Sequence, residues 1–138
     1  MKLSVAVLAD HANVAAGEKL NVFGVFDTIA TEEFPSIIPF MVLALRICIE
    51  YEDQEKTHKF RISLRDEDGK EYMEANATLT VMKIPAGEVM HKNLILNFAG
   101  LQIGKKGRYA FHITANDKLL DRIDLRVIEG RPDKQQSS

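Results

Sequence analysis

The residues with the strongest claim to chemistry lie near the start of the chain, in LADHANVAAGEK, where Asp10 stands beside His11, with Asn13 and Glu18 behind them. An acid next to an imidazole is the pairing a small hydrolase uses to move a proton, or a metal-dependent enzyme to hold its ion, with Glu18 or His91 as the natural third group. Neighbouring residues of an extended chain face opposite ways, so Asp10 and His11 converge only where the chain turns. A structural reading competes. In it the first strand ends here, Asp10 caps a short turn by accepting amide hydrogens near Ala12 and Asn13, and Gly17 and Lys19 lead into the next strand. The structural reading is the expectation, with Asp10, His11 and Asn13 retained as the candidate site and no catalytic, cofactor-binding or metal-binding residue assigned.

Other chemistry-bearing residues are scattered. Asp66, Glu67 and Asp68 in RDEDGKE are consecutive, whereas a calcium loop alternates its acids and ends in a distant glutamate, so a solvated hairpin tip is expected. His58, His91 and His112 lie on separate segments, with no second cysteine to join Cys48 in a zinc site. Cys48 reads as a small packing residue. No GxSxG, Walker or dinucleotide loop is present, and no cofactor is expected.

The elements that would position these residues must come from one ordinary domain, since 138 residues suffice for a single core without disulfides or metal. A net charge of −2, from 18 basic and 20 acidic residues without long single-sign runs, argues against a nucleic-acid partner. The apolar run in MKLSVAVLADHAN is too short for a secretory signal, and one cysteine cannot form an internal disulfide, so a cytoplasmic location is expected. The most apolar stretch, IIPFMVLALRICIEY, is interrupted by Pro39, Arg46 and Glu50 and does not read as a membrane span.

Alternation then sets the fold. Met41, Leu43, Leu45, Ile47, Ile49 and Tyr51 share one face of a long strand, and the same period of two recurs through Phe60, Ile62 and Leu64 and through Met73, Ala75, Ala77, Leu79 and Val81. It recurs again at Leu94, Leu96 and Phe98, at Tyr109, Phe111 and Ile113, and at Ile123, Leu125 and Val127. Leu3, Val5 and Val7 predict the inner face of a first strand, and LNVFGVFDTIA a strand apolar on both faces. Without a helical pattern to cover them, eight such strands predict an all-β, two-layer antiparallel β-sandwich of immunoglobulin-like or Greek-key topology. It should span residues 1–129, with 130–138 as a flexible polar tail. A four-residue loop from Asp66 to Gly69 would pair Ile62 with Met73 and Phe60 with Ala75. Parity at the last hairpin asks for a three- or five-residue bulged turn that pairs Phe111 with Ile123.

DHANVAAGEKLNVFGVFDTI, FPSIIPFMVLALRI and GRYAFHITANDKLLDRIDLRV together resemble a family of small bacterial proteins classified only as a domain of unknown function. The shared features are a first strand ending in an acid, a Gly-Lys-Leu-Asn type segment with Glu18 inserted here, a Gly-x-Phe-Asp strand and a closing glycine-aromatic hairpin. The resemblance implies a bacterial all-β domain and no activity, and the closing hairpin is also similar to the last strands of immunoglobulin-like sandwiches. A non-enzymatic binding or assembly module is therefore expected, the hydrolase or metal enzyme at Asp10 and His11 being the alternative. Val42, Ala44, Cys48, Phe23, Val25, Ile95 and Ala99 fall on faces that alternation directs outward, which predicts a homodimer or higher oligomer. Otherwise the loop from Thr31 to Pro39 would have to cover that surface.

Overall fold

A computed structural model, which describes residues 1–131, resolves the alternation into nine strands: β1 (Lys2–Ala15), β2 (Lys19–Phe26), β3 (Thr28–Thr31), β4 (Ser36–Ile49), β5 (Lys56–Asp66), β6 (Glu71–Val81), β7 (Met90–Ile103), β8 (Gly107–Ala115) and β9 (Lys118–Glu129). They form a two-layer β-sandwich, with sheet orders β2-β1-β4-β7 and β3-β9-β8-β5-β6. Every pairing is antiparallel except β3 on β9. The order β9-β8-β5-β6 facing β4-β7, with the chain crossing between layers after β4 and after β6, is immunoglobulin-like. Tyr109, at the start of β8, supports that assignment: its buried hydroxyl donates to the Lys105 carbonyl four residues upstream, as in the tyrosine corner of such sandwiches.

The core lies between the layers, where alternation put it. Met41, Leu43, Leu45 and Ile47 of β4 meet Phe60, Ile62 and Leu64 of β5 and Phe111 and Ile113 of β8, and none is more than 1% exposed. Phe98 stacks on Phe111 with ring centroids 5.4 Å apart. Each such side chain contributes about 1.5–3 kcal/mol through removal from water.

Several expectations are corrected. The inner residues of β1 are Ala6 and Leu8 rather than Val5 and Val7, because a bulge between Leu3 and Val5 reverses the facing of everything after it. LNVFGVFDTIA is two strands, β2 and β3, which lie in different sheets on either side of Asp27. Tyr51 belongs to a 3-10 turn, Tyr51–Asp53, and is exposed. The Asp66 hairpin pairs Ile62 with Ala75 and Phe60 with Ala77, two residues from the expected register but on the expected face. At the last hairpin Phe111 does pair with Ile123, but the turn is the two-residue one. Asn116 and Asp117 both have positive φ, the geometry of a type I′ turn, and the odd residue is absorbed by a bulge at Ile113/Thr114. Of the tail, residues 132–138 lie outside the described ones. Gly130 still donates its amide to Thr31, and Arg131 pairs with Glu32 at 2.8 Å.

The largest departure concerns the outer face of the four-stranded sheet. β1 runs beside β4 only as far as the Ala9–Val42 pair, while its ladder with β2 continues to Ala15–Lys19. The tip of this two-stranded ribbon then returns: the Glu18 carbonyl accepts hydrogen bonds from Arg46 Nη1 and Asn93 Nδ2, both at 2.9 Å. Arg46 lies opposite Val5 in the β1–β4 register, so the ribbon has doubled back over the sheet it left. Ala12, Leu20 and Val22 pack on Ala9, Val42 and Ala44, with Val7 and Ile95 beside them. Val42 and Ala44 are thereby 0% exposed. The cover of this face is the β1–β2 hairpin, not the Thr31–Pro39 loop.

Candidate functional site

The elbow at which the ribbon doubles back is where Asp10 and His11 lie. β1 does not end at Asp10, as expected from its polar residues, but bends there and continues to Ala15, so Asp10 is not a cap for a turn at Ala12 and Asn13. Ala9 and Ala12 both face the concave side, which leaves Asp10 and His11 exposed on the convex one. Opposite them, Gly24 has φ of +70° and the Asp10 carboxylate lies across its Cα, so close that a Cβ there would stand 2.3 Å from Asp10 Oδ2. His11 stacks on Phe23, with centroids 6.0 Å apart. Asn13 accepts from Asn21 Nδ2 at 3.0 Å across the ribbon. Glu18 is held by its carbonyl at the far tip, and His91 pairs with Cys48 near the far end of β4. Among the described residues no three His, Cys, Asp or Glu side chains gather as a metal-holding group.

Gly24→Ala is accordingly expected to cost about 2 kcal/mol, from positive φ and the carboxylate clash together. Asp10→Ala alone should fall within roughly 0.5 kcal/mol of wild type. The double variant should recover part of the loss in a urea titration, because removing the carboxylate relieves the clash but not the backbone strain. Equal midpoints for the two alanine variants of Gly24, with and without Asp10, would show that the carboxylate does not limit this site.

Around the elbow the surface is apolar. Phe23 is 53% exposed and Val25 57%, and both lie on β2, the edge strand of its sheet. On β4, Phe40 precedes Val42 on the same outer face just beyond the point where the ribbon departs, and it too is exposed.

A second cluster occupies the outer face of the five-stranded sheet, and alternation had offered a signal for it that went unused. Arg65 of β5, Arg108 and His112 of β8 and Arg122 of β9 all take outward positions. They line an open depression of about 440 Å³ over the buried Ala110. The ladder sets Arg108 directly opposite Arg126, an unfavourable cross-strand pair, and His112 opposite Arg122. Nearby acids are occupied: Asp66 accepts from the amides of Asp68 and Lys70 and the Tyr72 hydroxyl, and Asp124 receives Arg122 Nε at 3.2 Å. Glu67 accepts from the Arg108 amide, which leaves that residue's guanidinium without a partner among the described residues. His112 Nδ1 is buried without a hydrogen bond. Burial, then the charges of Arg65 and Arg122, hold its pKa below the usual histidine range.

His58 and Cys48, also weighed from sequence, take structural places. The buried His58 ring donates from Nε2 to the Asp53 carbonyl at 2.8 Å and accepts Asn116 Nδ2 at Nδ1, so both ring nitrogens are satisfied. Cys48 is a buried free thiol.

Residues 4–128 match a family described as "Family of unknown function (DUF6941)". No curated protein matches the sequence. Among solved structures, the chain is similar to a candidate beta-galactosidase from Bacteroides fragilis, at 9% identity and a TM-score of 0.38 over 66% of this chain. It spans 15% of that protein's length, a likeness too distant to bear on fold or function.

Proposed function

The chain belongs to this family of unknown function, and from that premise we propose that it is a non-enzymatic binding or assembly module that acts by pairing with a second copy through the elbow. The observation that carries the proposal is the exposed apolar pair Phe23 and Val25 on the edge strand at the bend. Most edge strands carry a lysine, a proline or an inward charge that discourages pairing. β2 carries a lysine at its first residue, Lys19, and none of these from Leu20 to Phe26. An antiparallel two-fold pairing centred on Phe23 would set Asn21 against Val25 and bring no like charges together. The Phe23 ring is already stacked on His11, and so enters such an interface partly ordered. An unpaired buried thiol agrees with a reducing bacterial cytoplasm.

Light scattering at micromolar concentration tests the proposal. Wild type should have a dimeric or larger mass, and Phe23→Glu should reduce it to a monomer with stability changed by no more than about 1 kcal/mol, as for an exposed position. A monomeric wild type would overturn the proposal.

A further inference from the structure

Independently of the elbow, the arginine-lined depression on the opposite sheet has the makings of a binding site. Three adjacent strands each supply a guanidinium to its wall, and the small Ala110 side chain, 4% exposed, leaves the floor open. Arg108 and Arg126 are like charges placed opposite each other along the ladder, and the adjacent acid of β9, Asp124, bonds Arg122. The Arg108 guanidinium has no partner among the described residues, and Arg65 comes no nearer than 4.0 Å to Glu71. Arg61, on the same face of β5, is different: it is held by Glu71 at 2.7 Å and Glu74 at 2.8 Å. Below the rim lies the unpartnered Nδ1 of His112.

We propose that this depression binds a single compact oxyanion, a phosphoryl group or its sulfate analogue, held by Arg65, Arg108 and Arg122. Guanidinium forks match the spacing of phosphoryl oxygens and form the stronger, charge-assisted class of hydrogen bond. An anion there would also offset the repulsion between Arg108 and Arg126. Asp66 and Glu67 line one side of the depression, and Asp27, Asp124 and Glu129 lie on the neighbouring surface, so the positive region is one oxyanion wide. A continuous nucleic-acid backbone would meet those carboxylates on leaving it. The groups facing His112 are Arg65 and Ser63 on β5, Asp66 and Glu67 at the hairpin, Arg108 on β8, and Arg122 and Asp124 on β9. An added anion opposes the two arginines that disfavour its proton, so anion binding and His112 protonation reinforce each other.

The test follows the arginine side-chain N–H resonances of the full chain during titration with sodium sulfate at low ionic strength. Saturable shifts are expected at Arg65, Arg108 and Arg122. The Arg65→Gln, Arg108→Gln double variant, its fold checked by melting temperature, should bind roughly tenfold or more weakly, as expected for loss of charge-assisted bonds. Arg61→Gln should bind as wild type does. Sulfate should bind more tightly near pH 6 than near pH 8 in wild type and not in His112→Gln, as for a histidine titrating with its ligand. Inorganic phosphate and O-phosphoserine then distinguish a free anion from a phosphorylated molecule, and either one displacing sulfate supports the site. Absence of saturable shifts overturns the proposal, as does equal weakening by Arg61→Gln. Preference for a single-stranded oligonucleotide over phosphate would overturn it in favour of a polyanion.

Discussion

Val42→Glu is expected to unfold the protein's four-stranded sheet at its outer face rather than to alter its assembly, with a loss of more than about 3 kcal/mol. Val42 is 0% exposed beneath the β1–β2 ribbon, in a small apolar cluster of Ala9, Ala12 and Ala44. A carboxylate there would have no cation to pair with inside the cluster. The nearest guanidinium along β4, that of Arg46, is already engaged by the Glu18 carbonyl and by Asn93 Oδ1 at 2.9 Å. The chain can accommodate the charge only by lifting the ribbon, which gives up the packing of Leu20 and Val22 and the two hydrogen bonds to the Glu18 carbonyl. The urea midpoint should fall steeply, and limited proteolysis should cut near Gly17 at the ribbon tip. Phe23→Glu, on the convex side of the same ribbon, should do neither. A Val42→Glu variant with the wild-type midpoint and an uncut tip would mean that the ribbon does not hold this face closed.

That contrast marks how far residue patterns carry. The inner faces of β4, β5, β8 and β9 were legible because the middle of each strand is apolar on one side and a period of two has a single solution there. The outer face was not. Val42, Ala44 and Ile95 read as a surplus because alternation assigns a face but not what lies above it, and the covering segment comes from sequence positions about thirty residues away. The elbow itself left a trace: Gly24 sits in an otherwise unbroken β pattern, opposite an acid, and a glycine inside a strand often marks a bend or a close approach. Asp10 is polar because the convex side of that bend faces water, which is a sufficient reason for an acid and a histidine to stand together there. Bulges account for the register errors. One inserted residue near Leu3 turned the inner face of β1, one at Leu64/Arg65 accompanies the shifted Asp66 hairpin, and one at Ile113/Thr114 lets a two-residue turn keep the expected Phe111–Ile123 pair.

At the Asp66 hairpin the buried carboxylate should matter more than the glycine of the turn. Gly69, with φ of +84°, is the position where a β-branched residue would be strained, and Gly69→Val should cost about 1–3 kcal/mol. Nothing lies within 4 Å of the position a Cβ would take, so backbone strain is the whole of that cost. From sequence, Asp66 is merely one acid of a solvated tip. In the fold its side chain is 3% exposed, and Oδ1 accepts the amides of Asp68 and Lys70 at 2.9 Å each while Oδ2 accepts the Tyr72 hydroxyl at 3.0 Å. Asp66→Ala would leave those three donors without their acceptor and loosen the Tyr72 ring, which packs edge-on against Tyr109 of the tyrosine corner. Its melting temperature should therefore fall further than that of Gly69→Val, by roughly 5 °C or more. Burial pushes the Asp66 carboxyl up, but the Lys70 amide, the Tyr72 hydroxyl, the Asp68 amide and Lys105 outweigh it and hold the group below the usual carboxylate range. A carboxyl depressed on folding stabilises the native state above its unfolded pKa of about 3.9, and that stabilisation is lost as pH falls through the folded value. Wild type should thus lose stability on acidification below about pH 4 more steeply than Asp66→Asn, which has no proton to gain there. Parallel acid profiles for the two proteins, or a Gly69→Val midpoint below that of Asp66→Ala, would show that the carboxylate does not organise this hairpin.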